Sequence, residues 1–128
     1  MVMIRTGVAG VGTFDYPIRL YSPDGVRSEP LNPLVDTGSL FTWAPAVVLE
    51  RLAIAPEQEI PFELANGQRV SRPTAEVLVE IDGVKHSTVV VFGQPGDFTL
   101  LGAYTLERFL LMPDVVNRRL VPIVATVA

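Results

Sequence analysis

The chain has 128 residues, of which 48% are hydrophobic and 19% are charged, and its formal net charge is -4. This length and composition fit one packed domain, and we expect residues 1–128 to form it, with 1–13 as a flexible or interface arm. An acidic chain without a Lys/Arg cluster is unsuited to nucleic acid or to an anionic membrane surface. The absence of cysteine excludes disulfides, thiolate metal sites and a cysteine nucleophile.

The sequence shows neither a secretory signal nor a membrane-spanning run. The first residues lack a basic start followed by a sustained apolar stretch. No apolar run approaches the ~20 residues of a membrane span. We therefore expect a cytoplasmic protein that does not bind membranes.

The first predicted elements along the chain are short strands. Residues 14–21 favour a strand in which Pro17 marks an edge or a bulge, and 22–25 form a turn. A short buried strand is expected over 31–35. Residues 44–54 combine an early proline with apolar residues at helical spacing, which predicts a short helix.

The middle of the chain has the strongest strand signals. In residues 60–70, Asn66 and Gly67 separate two extended segments, and because both tolerate positive φ they predict a tight hairpin. Residues 74–83 alternate apolar and polar side chains, which predicts a strand. An Asp-Gly pair then turns the chain into a further strand over 84–92.

The last part of the chain changes from strand to helix and back. Residues 100–112 begin as a strand and take helical spacing after Gly102, until Pro113 should end the helix. Extended, β-branched residues follow, with a turn expected at Asn117 and Arg118. Strands with two short helices indicate a small closed or sandwich-like β domain.

One acid, Asp36, lies at the end of a predicted apolar strand, where a carboxylate is costly unless its charge is satisfied. Gly38 permits a tight turn directly after it. Thr37 and Ser39 supply hydroxyls, and the turn directs backbone N–H groups at the acid. Such a loop holds one carboxylate rigidly in a chosen orientation.

The letters LVDTGS at 34–39 resemble the active-site loop of aspartic proteases. These proteins carry a second signature, two apolar residues and a glycine before a short helix, which Leu100, Leu101 and Gly102 match. The predicted hairpin lies between the two signatures, where the family has its flap. The resemblance covers roughly residues 14–124.

The sequence contains one such loop, which favours the retroviral-type (retropepsin-like), single-domain branch of the family. The chemistry requires two carboxylates that share a proton: one acts as a base on water, and the other polarises the scissile carbonyl. Single-domain members bring the same aspartate from each subunit to a two-fold axis. The resemblance therefore implies an aspartic endopeptidase that acts as a homodimer on a peptide or protein substrate at mildly acidic pH, without metal or cofactor.

The resemblance also implies the fold: a mainly β, closed, barrel-like domain with two short helices and a β-hairpin flap. It would dimerise through the active-site loop and the terminal strands, whose apolar character is a hazard at an open edge. The candidates for an intersubunit sheet are the segments VMIRTGV and RRLVPIVATV.

By resemblance, three groups of residues form the site. Catalytic roles fall to Asp36, Thr37 and Gly38. Flap contacts with the substrate fall to Asn66, Gly67 and Gln68. Support of the loop from below falls to Ser39, Leu100, Leu101 and Gly102. The peptide would bind in an extended form, with alternating side chains in apolar pockets.

One departure from the family pattern leaves an alternative function open. Ala103 lies where retroviral members usually carry an arginine that braces the dimer. Arg108, Arg118 and Arg119 are the available substitutes. If the two loops do not meet, the same fold would serve as a non-catalytic module that binds a peptide or another partner.

Three further features favour ordinary structural roles. The glycine-rich residues 7–12 superficially resemble a phosphate loop, but Pro17 follows where a helix should begin. His86, the one histidine, is expected on a strand surface rather than in a metal site. Trp43 is expected in the core or in a pocket wall.

Overall fold

The computed structural model describes the backbone of residues 2–4 and the whole of residues 13–64 and 66–124. In these residues the chain forms eleven strands and two helices. The strands are β1 (Val2–Ile4), β2 (Ile18–Tyr21), β3 (Ser28–Leu31), β4 (Leu34–Val35), β5 (Thr42–Pro45), β6 (Gln58–Leu64), β7 (Arg69–Ile81), β8 (Val84–Gly93), β9 (Leu100–Leu101), β10 (Leu111–Asp114) and β11 (Arg119–Pro122). The helices are α1 (Ala46–Arg51) and α2 (Ala103–Arg108). The expected mainly β class is confirmed.

Most strands belong to one nine-stranded sheet that curls into a half barrel. Its strand order is β1-β6-β7-β8-β5-β9-β4, and β2 joins it by pairing with β7 and with β3. The strands β10 and β11 form a separate two-stranded sheet. Parallel pairing of β4 with β9 matters most for the site, because it places the residues after Val35 beside those after Leu101.

The hydrophobic core lies in two clusters, one of which fills the half barrel. In β7 the side chains of Val77, Val79 and Ile81 are buried on the face that the alternating pattern predicted. A smaller cluster contains Trp43 and Phe62 and lies between β5 and the β6–β7 hairpin. The expectation that Trp43 is buried is thus confirmed.

Both predicted hairpin turns are present. Gly67 has a φ of 85° at the end of the β6–β7 hairpin. Asp82 and Gly83 have φ values of 51° and 82° between β7 and β8. β7 is longer than expected, because it joins the second half of the first hairpin and the next predicted strand into one continuous element.

The predicted helix over 44–54 is too long. Residues 42–45 belong to β5 and pair with β8, so that α1 begins only at Ala46. Sheet pairing outweighs helical spacing at this point. The helix ends at Arg51, and Ala53 has a positive φ of 57°.

The helix predicted to run to Pro113 ends earlier. α2 ends at Arg108, and Leu110 adopts a φ of 54° that reverses the chain. Pro113 lies inside β10, opposite Leu120 of β11. A proline is tolerated in a two-stranded edge arrangement because it does not interrupt a central ladder.

The predicted strands near the N-terminus are shorter than expected. The segment 14–21 is regular only from Ile18, and Asp15 forms an isolated bridge with Leu34. The predicted strand over 31–35 is divided into β3 and β4. Pro33 lies between these two strands.

The terminal segments pair within the chain where the structure describes them. β1 runs parallel to β6, with Val2 opposite Phe62, and β11 pairs with β10. Residues 5–12, including the glycine-rich stretch and most of the expected arm, and residues 125–128 lie outside the described residues. Both described helices are too short to cross a membrane.

Candidate active site

The loop that carries Asp36 is fixed at both ends by backbone hydrogen bonds. The N–H of Asp36 donates to the carbonyl oxygen of Leu101 at 3.0 Å, so the start of the loop is attached to β9. The N–H of Ser39 donates to the carbonyl oxygen of Asp36 at 3.1 Å, which closes the turn. The acid is therefore held by the scaffold rather than by a mobile segment.

The Asp36 carboxylate accepts a hydrogen bond from within its own loop. The N–H of Gly38 lies 2.8 Å from Oδ1, as expected from a turn that directs N–H groups at the acid. Only 7% of Asp36 is exposed, whereas Thr37 and Gly38 are exposed. A nearly buried carboxylate thus lies directly beside an open rim.

Gly102 backs this loop at very short range. A Cβ atom at this position would lie 2.3 Å from the carbonyl oxygen of Phe41 and 2.9 Å from that of Ser39. The next two N–H groups, of Ala103 and Tyr104, donate to the carbonyl oxygens of Ser39 and Leu40 at 2.8 and 2.9 Å. Only glycine permits this approach, so the triplet residue and the loop are packed as one unit.

The side chain of Ser39 completes the support of the loop. It is fully buried, and its Oγ donates to the carbonyl oxygen of Phe41 at 2.8 Å. Leu100 and Leu101 are buried beneath the loop in β9. The four residues expected to support the loop are thus brought together with it.

The hairpin between β6 and β7 ends in an exposed turn. The Asn66 side-chain oxygen accepts the N–H of Gln68 at 2.9 Å, and the N–H of Gly67 donates to the carbonyl oxygen of Leu64 at 2.9 Å. The residues Asn66, Gly67 and Gln68 are all exposed. They form the tip expected from the sequence and are free to face another molecule.

The stem of this hairpin packs on the segment that follows the loop. The ring of Phe62 in β6 lies 4.9 Å from that of Trp43 and 5.9 Å from that of Phe41. Phe41 in turn lies 5.4 Å from the half-exposed ring of Tyr104. An aromatic row therefore connects the start of α2 to the hairpin stem.

An ion pair also fastens the hairpin stem. Arg72 in β7 contacts Asp97 through two hydrogen bonds, of 2.8 and 3.2 Å, and the two side chains are only 16% and 14% exposed. Asp97 lies in the loop that leads into β9. This pair could not be predicted, because its members are 25 residues apart in the chain and no local pattern marks them.

Three buried threonines behind the loop were also missed. The hydroxyl of Thr105 lies within hydrogen-bond distance of the hydroxyls of Thr42 and Thr88. They come from β5, β8 and α2, so only the fold brings them together. Threonine is a common strand residue, and nothing in the sequence distinguishes these three.

The arginines considered as dimer braces have different surroundings. Arg119 forms a 3.2 Å ion pair with Asp114 inside the β10–β11 hairpin. Arg118 reaches the carbonyl oxygen of Thr13 at 3.4 Å, and Arg108 is exposed on α2. Ala103 has no charged side chain, and its backbone N–H donates to the carbonyl oxygen of Ser39 in the loop.

His86 lies in β8 with its ring edge-on to Phe109, at a centroid distance of 4.9 Å. Across residues 13–64 and 66–124 there is no group of three His, Asp or Glu side chains arranged to hold a metal ion.

The sheet, the loop and the hairpin define a retroviral-protease fold. The structure is similar to the solution structure of simian foamy virus (mac) protease, with a TM-score of 0.54 and 18% sequence identity. The similarity covers 78% of this chain and 99% of the viral chain. No protein-family model and no curated protein matches the chain. At this identity the similarity establishes the fold, and the function has to be argued from the site.

Proposed function

We propose that the chain is an aspartic endopeptidase that hydrolyses peptide bonds as a homodimer. The observation that carries this proposal is the Asp36 carboxylate, which is 7% exposed, hydrogen-bonded by Gly38 and attached through its backbone to β9. A catalytic acid or base has to be held in a fixed orientation beside a space where substrate can lie. In the proposed dimer, the exposed residues Thr37 and Gly38 of both loops would border this space.

Two copies are needed because each chain supplies one loop of this kind. In the proposed dimer, Asp36 of each protomer lies at the two-fold axis, and the pair shares one proton. One carboxylate removes a proton from the attacking water, while the protonated partner donates a hydrogen bond to the scissile carbonyl. The exposed Thr37 links the two loops across the axis, and Gly38 leaves room for the substrate.

The substrate of the proposed enzyme is an extended peptide. Asn66, Gly67 and Gln68 would close over its backbone from the hairpin tip and exclude water from the reacting bond. The side of the site formed by Leu40, Phe41 and Tyr104 is apolar, with Leu40 36% and Tyr104 48% exposed. Apolar side chains near the scissile bond are therefore preferred.

The test is peptide cleavage by wild-type protein and by Asp36→Asn. We expect pepstatin-sensitive cleavage at mildly acidic pH for the wild type and no cleavage for the variant, because the amide cannot act as a base. Asp24→Asn is the matched control, because it removes the same charge in an exposed turn. There the Asp24 carboxylate accepts hydrogen bonds from the Ser22 hydroxyl and the Val26 N–H. Cleavage that survives in Asp36→Asn would remove the carboxylate pair from the proposal.

The second candidate is a module that binds an extended peptide without cleaving it. The observation that favours it is Ala103, which places a small side chain where retroviral members have a bracing arginine. Sedimentation at increasing concentration distinguishes the two candidates. A strict monomer has one Asp36 carboxylate and supports the binding module, whereas a dimer supports the endopeptidase.

A further inference from the structure

In the core behind the Asp36 loop, three threonine hydroxyls form a continuous chain of hydrogen bonds. Thr42 and Thr105 are fully buried, and Thr88 is 7% exposed. The Oγ1 atoms of Thr42 and Thr105 are 2.6 Å apart, and those of Thr105 and Thr88 are 3.0 Å apart. At the loop end of the chain, the N–H of Gly102 donates to Oγ1 of Thr42 at 3.1 Å.

Donor counting permits a chain of hydrogen bonds that runs from Thr42 through Thr105 to Thr88, because either oxygen of each pair can donate. A threonine hydroxyl donates one hydrogen and accepts through its lone pairs. Thr42 accepts from Gly102, so its own hydrogen is available for Thr105, and the hydrogen of Thr105 is then available for Thr88. In this arrangement Thr42 and Thr105 each accept once and donate once. Successive hydrogen bonds in a low-dielectric core polarise one another, so Thr105 strengthens Thr42 as an acceptor for Gly102.

The chain of hydrogen bonds ends at Gly102, which has little space to move. Gly102 lies so close to the carbonyl groups of Phe41 and Ser39 that a Cβ atom would overlap them. A displacement of Gly102 therefore displaces the loop, which also receives the N–H groups of Ala103 and Tyr104. Close packing transmits such shifts instead of absorbing them.

We propose that Thr105 is a positioning residue for Asp36: its buried hydroxyl, through Thr42 and Gly102, fixes the height and orientation of the Asp36 loop. The Thr105 hydroxyl is fully buried and lies within hydrogen-bond distance of the hydroxyls of Thr42 and Thr88. It acts by joining α2, the helix that follows Gly102, to β5 and β8. The inference rests on the proposed function for its kinetic readout, and a second readout is independent of that function.

The decisive variants are Thr105→Val and Thr105→Ser. Valine has nearly the same shape and lacks the hydroxyl, so Thr42 and Thr88 lose their shared partner. Serine keeps the hydroxyl. The matched control is Thr74→Val, because Thr74 is 2% exposed and donates to the carbonyl oxygen of Gln58 at 3.0 Å, in the hairpin stem and outside the chain of threonines.

In peptide cleavage, Thr105→Val should lower kcat about tenfold with little change in KM, because a small displacement of a catalytic group mainly affects the chemical step. Thr105→Ser should restore most of kcat, and Thr74→Val should leave it unchanged. A loss of kcat in Thr74→Val as large as in Thr105→Val would reduce the effect to general destabilisation and overturn the proposal.

Amide hydrogen exchange tests the same inference without catalysis. Thr105→Val should accelerate exchange at Gly102, Ala103 and Tyr104 about tenfold. The N–H of Gly102 donates to Thr42, and the other two donate to the carbonyl oxygens of the loop. Thr105→Ser and Thr74→Val should not accelerate exchange there. If the wild type cleaves no peptide but this local exchange pattern is found, the proposed function fails and the positioning role remains.

If Thr105→Val does not fold, Thr105→Ala provides the same test, because alanine and the serine of Thr105→Ser differ only by the hydroxyl. Faster exchange confined to the amides of Gly102, Ala103 and Tyr104 supports the proposal. Unchanged exchange at these amides in the folded variant overturns it.

Discussion

Gly102 packs against the Asp36 loop and Gly67 lies at the exposed hairpin tip, and their surroundings differ completely. At Gly102 a Cβ atom would meet the carbonyl oxygen of Phe41 at 2.3 Å, whereas at Gly67 nothing lies within 4 Å. The first glycine is required by close packing. The second is required only by its φ of 85°.

The same contrast extends to the polar side chains around these glycines. Ser39 is fully buried and hydrogen-bonded to a loop carbonyl, while Asn66 makes its turn hydrogen bond at the exposed tip. In the proposed endopeptidase, this contrast would hold the Asp36 carboxylate still while the hairpin opens for capture and release of a peptide.

The largest expected effect is the difference between alanine at the two glycines. Gly102→Ala should destabilise the fold by about 3 kcal/mol, because the new methyl group overlaps backbone atoms that have no space to move. Gly67→Ala should cost about 1 kcal/mol, the strain of a left-handed conformation with a Cβ atom. Urea unfolding of both variants measures the difference, and equal losses of unfolding free energy would contradict the contrast between the two glycines.

The next effect comes from the ion pair that fastens the hairpin stem. Arg72→Met should cost about 2 kcal/mol, between the values for exposed and fully buried pairs, because it leaves Asp97 without its partner. Arg69→Met is the control on the same strand, since Arg69 is 72% exposed and lies 3.6 Å from Glu63. Thermal unfolding compares the two. A loss for Arg69→Met as large as for Arg72→Met would show that burial of the pair is not what matters.

A smaller effect separates the two polar side chains. Ser39→Ala should cost about 1 kcal/mol through the lost hydrogen bond to Phe41, in a place that water does not reach. Asn66→Ala should cost about 0.5 kcal/mol or less, because solvent replaces the lost bond at the tip. Hydrogen exchange locates each effect: the first should spread through the loop, and the second should stay between Leu64 and Gln68.

The smallest effect concerns the pH dependence of stability and comes from Asp114, in the β10–β11 hairpin. Hydrogen bonds from Asn117, together with the Arg119 guanidinium, hold the pKa of Asp114 below its ordinary value. The unfolded chain therefore binds this proton more readily, so the contribution to stability is present above the ordinary Asp pKa of ~3.9 and is lost as the pH falls through the lower folded value. The unfolding midpoints of the wild type and of Asp114→Asn should converge in that acidic range. A constant difference from pH 7 to pH 3 would contradict this sign.

Local chemistry explains what the sequence could predict. Gly67, and Asp82 with Gly83, define their turns because few residues accept these backbone angles. The Asp36 loop was visible as a carboxylate directly before small residues. Gly102 was found through the resemblance to aspartic proteases, because its need for glycine comes from the distant carbonyl groups of Ser39 and Phe41.

What the sequence could not predict depends on distant partners. Residues 44–45 have helical spacing, yet they extend β5 because β8 is available to pair with them. The pairing of Thr42 with Thr105, and of Arg72 with Asp97, exists only once the strands are assembled. No periodicity or turn signal carries that information.

The single tryptophan of the chain offers an unlabelled optical reporter of the hairpin. Trp43 is fully buried and faces Phe62 of the stem, and its indole nitrogen has no hydrogen-bond partner among the described residues. An indole in such dry surroundings emits at short wavelength, and its emission moves to the red when water reaches it. Native fluorescence can therefore report whether water reaches the packed surface between Trp43 and the hairpin stem.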